Sequence, residues 1–203
     1  MVGDSTVRLV AMTKRRTLVG AAVVAAVLLA GGLAVTLTGG SGQATGATHV
    51  NGDPSALLYP AGHRAQVPDF SGTTLSGARV NFASYRGKVV VLNFWGSWCG
   101  PCRSEGPALA ALSAKYQGSG VSFLGVDVHD SPANAVAFTR DAGIRYPSLN
   151  DPGYAVALTL GNTVPISGTP TTVVVDPTGH VAGAVFGPVT YSVLSAMLSA
   201  VTA

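Results

Sequence analysis

Phe94-Trp95-Gly96-Ser97-Trp98-Cys99-Gly100-Pro101-Cys102-Arg103 is the stretch on which the reading of this chain turns. Ahead of it, Lys88-Val89-Val90-Val91-Leu92-Asn93-Phe94-Trp95 is a short apolar run rich in β-branched residues, which predicts a central buried strand. Behind it, Gly100 to about Tyr116 predicts a helix with Leu109 and Leu112 on its apolar face. The two cysteines therefore fall at a strand-to-helix junction. Cys99 stands at the helix N-terminus, where free N–H groups and the macrodipole favour an anion and lower the pKa of a thiol. Cys102 lies one turn on, at i+3, so the two sulfurs can meet. Pro101 suits the first turn, where its missing N–H costs nothing. The pattern implies disulfide exchange, with attack by Cys99 and resolution of the mixed disulfide by Cys102.

Other uses of such a pair fit less well. A zinc site needs about four ligands. The chain has only these two cysteines, and His49, His63, His129 and His180 are scattered, so the histidines read as surface residues and no metal is expected. A purely structural bridge across so small a loop would add little stability and has no need of this junction.

Outward from the pair, Val121 to Val128 predicts a second buried strand, and Asn134 to Ala142 and Tyr154 to Leu160 predict helices. Thr171 to Asp176 and Val181 to Phe186 read as strands joined by the Pro177-Thr178-Gly179 turn, and Thr190 to Val201 as a closing amphipathic helix. Upstream, Gln66-Val67-Pro68-Asp69-Phe70 is an extended entry and Thr74 to Val80 a hairpin. Strands alternating with helices, then a terminal hairpin and helix, predict an α/β fold: a central mixed sheet flanked by helices.

Lys14-Arg15-Arg16 precedes Leu18 to Leu37, twenty residues without a charge. A span needs about 20 apolar residues and a signal-peptide core about 7–15, so length favours an uncleaved anchor with its basic end inside. Small residues around Ala44 and Ala47 leave signal cleavage as the alternative, and Met12 begins a more typical leader than Met1. The organisation expected is a basic cytoplasmic leader over 1–17, a transmembrane anchor or signal over 18–38, a flexible tether over 39–65 and the α/β domain over 66–203. That places the domain outside the cell membrane on a single-pass chain, or secreted after cleavage.

The net charge of +3 hints at an acidic partner, but its location removes the hint. Of twelve basic and nine acidic residues, Arg8, Lys14, Arg15, Arg16 and Asp4 precede the apolar run, leaving eight of each downstream. A neutral body offers no basic stripe for phosphates, so nucleic-acid binding is not expected. With 47% apolar and 10% charged residues, the 203-residue chain can build a real core.

Phe94 to Cys102, taken with Gly168-Thr169-Pro170-Thr171-Thr172, resembles the thioredoxin superfamily, and within it the membrane-anchored TlpA/ResA-like branch that includes cytochrome c maturation thioredoxins. Val67-Pro68-Asp69-Phe70 and Tyr85-Arg86-Gly87-Lys88 resemble that branch's entry hairpin, and the likeness covers about Gln66 to Val201. It implies a thioredoxin-like fold and a cis Thr169–Pro170 peptide facing the cysteines. It also implies a substrate surface of Trp98, Gly100, Pro101, Thr169 and Pro170. Trp95 reads equally well as plain core.

Two positions depart from the pattern. Thioredoxin itself carries a buried Asp where this chain has Asn93, which takes no proton at neutral pH. Glu105, at i+3 from Cys102, matches an acid of the ResA-like branch and is the candidate acceptor for the Cys102 proton. The alternative for Glu105 is an ordinary helix-start acid favoured by the dipole. Gly106 stands where a bulkier residue is expected, and Pro107 matches the kink proline of the active-site helix.

By resemblance, the chain is a monomeric reductase without a cofactor. It acts on disulfides of exported proteins, apocytochrome c above all, and is recharged by a membrane electron donor. Rival readings are a disulfide-forming oxidase, a peroxide-reducing redoxin and a non-enzymatic module that holds thiol peptides. The redoxin would want a lone peroxidatic Cys, and the intact pair argues against the module.

Overall fold

The computed structural model of the protein describes residues 46–203. The leader expected over 1–17, the apolar segment over 18–38 and the tether up to residue 45 lie outside the described residues. In chain order the strands are β1 (Thr48–Val50), β2 (Asp53–Leu58), β3 (Ser71–Thr73), β4 (Arg79–Asn81), β5 (Val89–Trp95), β6 (Val121–Val128), β7 (Ser148–Asp151), β8 (Thr171–Val175) and β9 (Val181–Phe186). The helices are α1 (Gly100–Lys115), α2 (Pro132–Asp141), α3 (Ala155–Leu160) and α4 (Tyr191–Thr202). None of the described helices is long and apolar enough to cross a membrane.

Seven strands form one mixed sheet in the order β1-β2-β9-β8-β5-β6-β7, and β3 with β4 makes a separate hairpin. β5, β6 and β7 run parallel, which requires the crossovers through α1 and α2; the other neighbours are antiparallel. β5 is buried at all seven positions, as its unbroken apolar run predicts. Its side chains alternate between two cores. Val90, Leu92 and Phe94 join α3 and the entry segment, with Val156, Leu160, Phe70 and Phe82. Val89 and Val91 face α1 and α4, with Leu109, Leu112, Leu194 and Met197. On that second face Trp95 packs with both cysteines, Ala135 and Phe138 of α2. The dithiol is therefore seated at the carboxyl end of the central strand, between two helices.

The tether expected over 39–65 is corrected from residue 48 onward. β1 and β2 form a hairpin around Asn51-Gly52, whose φ values of 51° and 74° give the primed turn that matches strand twist. β2 pairs with β9 through Ala56 to Leu58, and Ala56 is fully buried. The structured domain thus starts ahead of residue 66. From residue 48 the chain forms a turn and a sheet edge, not slack chain. β7 has one apolar residue, Leu149, and is a strand because β6 offers it a partner. The helix expected from Asn134 begins at Pro132, behind a Ser131 cap whose hydroxyl accepts the Asn134 N–H.

Candidate active site

Cys99 and Cys102 are joined by a disulfide, with their Cα atoms 5.3 Å apart. Cys99 is the N-cap of α1, with extended backbone, and its Sγ accepts the Cys102 N–H at 3.2 Å. A sulfur thus takes the place that an oxygen fills at most helix starts, where the orphan N–H groups gather. Both sulfur-bearing residues are buried, whereas Trp98, Gly100 and Pro101 are exposed around them. The bridge lies just beneath a lip of exposed residues.

Trp98 is 54% exposed and donates its indole N–H to the Val128 carbonyl at 3.3 Å. Its ring folds back over Gly96, where a Cβ would stand 2.5 Å from the indole nitrogen, so residue 96 has no room for a side chain. Beside the indole runs a groove of about 230 Å³, lined by Phe94, Val128, Tyr154, Ala157 and the Ile166–Thr169 segment. The sequence motifs around residues 98 and 169 thus meet at one groove. Thr169–Pro170 is cis, as expected. Thr171 ties the bend by donating its hydroxyl to the Gly168 carbonyl at 2.8 Å, and the Pro170 carbonyl accepts the Gly187 N–H.

Glu105 is 2% exposed. One carboxylate oxygen accepts from Asn93 Nδ2 at 2.8 Å and the other from the Val189 N–H at 2.9 Å. Asn93 also donates to Thr172 Oγ1, its direct cross-strand partner, at 3.1 Å. Burial pushes the Glu105 carboxyl up to about 7, against the pull of its two donors. The reading of Glu105 as an ordinary helix-start acid is therefore corrected: it faces the interior and touches β5 and the chain leading into α4. Gly106 is explained by the same crossing, since a Cβ there would lie 3.1 Å from Ala142 Cβ at the end of α2. Trp95 is core, stacked on Phe138 with ring centroids 4.6 Å apart.

Three residues that sequence reasoning missed stand near these. Asp127, at the end of β6, is 1% exposed, and neither of its oxygens finds a donor among the described residues. Burial, then the Asp130 and Asp151 charges, push its carboxyl up to about 7. Asp130 accepts the Ser97 N–H at 2.6 Å. Tyr154, at φ 58°, lines the Trp98 groove and stacks on His129. The available signal was Asp127 itself, the one charged residue of a strand that is otherwise uncharged and mostly apolar.

The AhpC/TSA family pattern matches residues 64–184, well over half of the chain. The chain belongs to the AhpC/TSA family. A relative from Bacillus thuringiensis (strain Al Hakam), named thiol-disulfide oxidoreductase ResA, is 31% identical over 137 residues, 68% of this chain and 77% of the relative. Among solved structures, a DsbF homologue from Corynebacterium diphtheriae is 38% identical with a TM-score of 0.67, covering 75% of this chain and 97% of its own. A secreted thiol-disulfide isomerase from Corynebacterium glutamicum is 36% identical at the same TM-score, covering 78% and 100%. This AhpC/TSA-family chain has the thioredoxin-like fold, and it is an enzyme of thiol–disulfide exchange.

Proposed function

We propose that the chain reduces disulfides of exported proteins, with Cys99 attacking and Cys102 resolving. The observation that carries this reading is the placement of the disulfide: Cys99 caps the N-terminus of α1 beside the groove that Trp98 shares with Gly168 and Thr169. In the reduced enzyme the Cys99 thiolate, favoured by the N–H groups it caps, attacks one sulfur of a substrate disulfide and releases the other as a thiolate. Cys102 then attacks the Cys99 sulfur. The enzyme disulfide forms, the second substrate thiolate leaves, and two electrons have passed to the substrate. Glu105, at i+3 from Cys102 and half-protonated near neutrality, accepts the Cys102 proton. Trp98, Gly100, Pro101, Thr169 and cis Pro170 form the surface that holds the substrate chain, Thr169 through its backbone groups.

The surroundings of Cys99 support this direction of electron flow. Gly100 and Pro101 add no charge that would stabilise its thiolate, and the buried acid nearby is Glu105. A thiolate without such help gives electrons up readily, whereas a strongly stabilised one makes an oxidant. The names of the relatives support a protein disulfide as substrate, and apocytochrome c is the substrate we favour. A monomer held to the outer face of the membrane by residues 18–38, recharged by a membrane donor, completes the reading.

Two measurements test it. Cys102→Ser should accumulate mixed disulfides through Cys99 on a non-reducing gel and Cys99→Ser almost none, and the reverse pattern would exchange the two roles. Redox titration should give a potential near that of thioredoxin, about −270 mV, while one near about −120 mV would make the protein a disulfide-forming catalyst.

A further inference from the structure

The turn that follows β6 grips the loop carrying Cys99. The Val128 carbonyl accepts the Trp98 indole N–H, and Asp130 Oδ2 accepts the Ser97 N–H at 2.6 Å. His129, between these two grips, has φ 52°, a left-handed conformation uncommon outside glycine. From the opposite side Arg103 of α1 donates to the Ser97 carbonyl. The Ser97 residue is thus fixed at both its N–H and its carbonyl, two residues ahead of the attacking sulfur. The Cys99 N–H in turn bonds to the Gly96 carbonyl at 3.1 Å.

Behind Asp130 stands Asp127. Strand register sets it between Trp95 of β5 and Asn150 of β7. The titratable groups that face it are Asp130 from the β6–α2 turn and Asp151 from the end of β7. Trp95 meets it from β5 as a neutral neighbour. Both other acids have N–H donors: Ser97 and Ser131 for Asp130, Ala155 and Val156 for Asp151. Asp127 has none among the described residues. Of the three carboxyls it is therefore the one whose ionised form is least supported, and it keeps the proton. A protonated carboxyl is a donor, and Asp130, three residues on, is the nearer in effect of the two charges that hold the proton on Asp127.

We propose that Asp127 and Asp130 form a carboxyl–carboxylate pair that positions the Cys99 loop, Asp127 donating its proton to Asp130 while Asp130 holds the Ser97 N–H. This rests on Cys99 being the attacking sulfur. When Asp127 ionises, the contact turns from a hydrogen bond into repulsion between two carboxylates, and Asp130 is driven off Ser97. Asp127 titrates at about 7. The loop therefore loosens as pH rises, against the gain in rate that thiol ionisation brings.

The test is the rate at which the reduced full-length protein reduces an aromatic disulfide, followed between about pH 6 and pH 8, with thermal melts as the folding control. Asp130→Ala should slow attack about tenfold or more at the acid end, and Asp130→Asn, which keeps an acceptor for Ser97, should recover most of that loss. Asp127→Asn should raise the ratio of the rate at the alkaline end to that at the acid end at least about threefold over wild type, because its amide donates and never ionises. Equal losses in the two Asp130 variants, with every pH profile parallel to wild type, would overturn the proposal. If Asp130→Ala does not fold, the infrared band of a protonated carboxyl decides. It should be present in wild type and diminished in Asp127→Asn, and its persistence unchanged in the variant would overturn the pair. Mixed-disulfide trapping in Cys102→Ser reports on the sulfur assignment alone, so a failure there is distinguishable from a failure of the pair.

Discussion

Glu105 on α1 and Asp127 at the end of β6 are both sealed from solvent and both titrate near pH 7, but their surroundings are opposite. Glu105 spends its two oxygens on two donors, one from β5 and one from the chain entering α4, so its charge is supported and only burial raises it. Asp127 receives no donor and faces two other acids, so burial and repulsion act together. The difference teaches that a shared pKa says little about what a carboxyl does for the fold. One is a tie between elements, and the other is a proton held in place.

Truncation should separate them most. Glu105→Ala leaves the Val189 N–H without its acceptor and removes one of two from Asn93, and should cost on the order of 2–4 kcal/mol in urea unfolding. Asp127→Ala strands no donor and should cost about 1 kcal/mol or less at alkaline pH. Equal costs would erase the contrast. Next in size is the kinetic split. Glu105→Gln should slow resolution by Cys102 about tenfold or more, seen as a longer-lived mixed disulfide in single turnover, because the amide keeps the shape but not the basicity. Asp127→Asn should instead act on the attack step.

A third effect is on stability against pH. Both carboxyls have folded values near 7, above the unfolded value of about 4, so the folded state binds more protons between those limits. The stability they contribute is full below about pH 4 and is lost as pH rises through about 7. Asp127→Asn removes its share of that loss, so its melting temperature should exceed wild type by a few degrees at about pH 8 and match it more nearly at about pH 5. A gain confined to the acid side would reverse the sign. The smallest effect concerns Tyr146, whose buried hydroxyl finds no partner among the described residues and whose ionisation burial and Glu105 oppose. Tyr146→Phe should leave stability unchanged or raise it by less than about 1 kcal/mol. A larger loss would show that the hydroxyl supports Glu105.

What the sequence made legible was whatever is local. The strand, loop and helix around Cys99 and Cys102 announce themselves within some sixteen residues, and Gly168 to Thr172 does so within five. The i+3 spacing of Glu105 was legible as well, but its burial was not, because that depends on Val189, 84 positions away. The Asp127 environment is drawn from β5, β7 and a turn, and no window of sequence holds all of them. β7 is a strand by virtue of its neighbour alone. The β1–β2 hairpin was missed for another reason: Asn51-Gly52 is a strong turn signal, but it sits in a stretch whose composition reads as linker.

That hairpin also gives the molecule a mechanical property. Any load applied ahead of residue 46 enters at β1, the outermost strand, whose first residue pairs with the last of β2. In the sheet order, β2, β9 and β8 stand between that edge and β5. A load from that side would meet the β1–β2 pairing, and the packing of Val50 against Leu194 and Met197, before it reached the strand that seats the cysteines. Three strands of the sheet thus separate the point where the chain enters from the strand on which the redox centre is built.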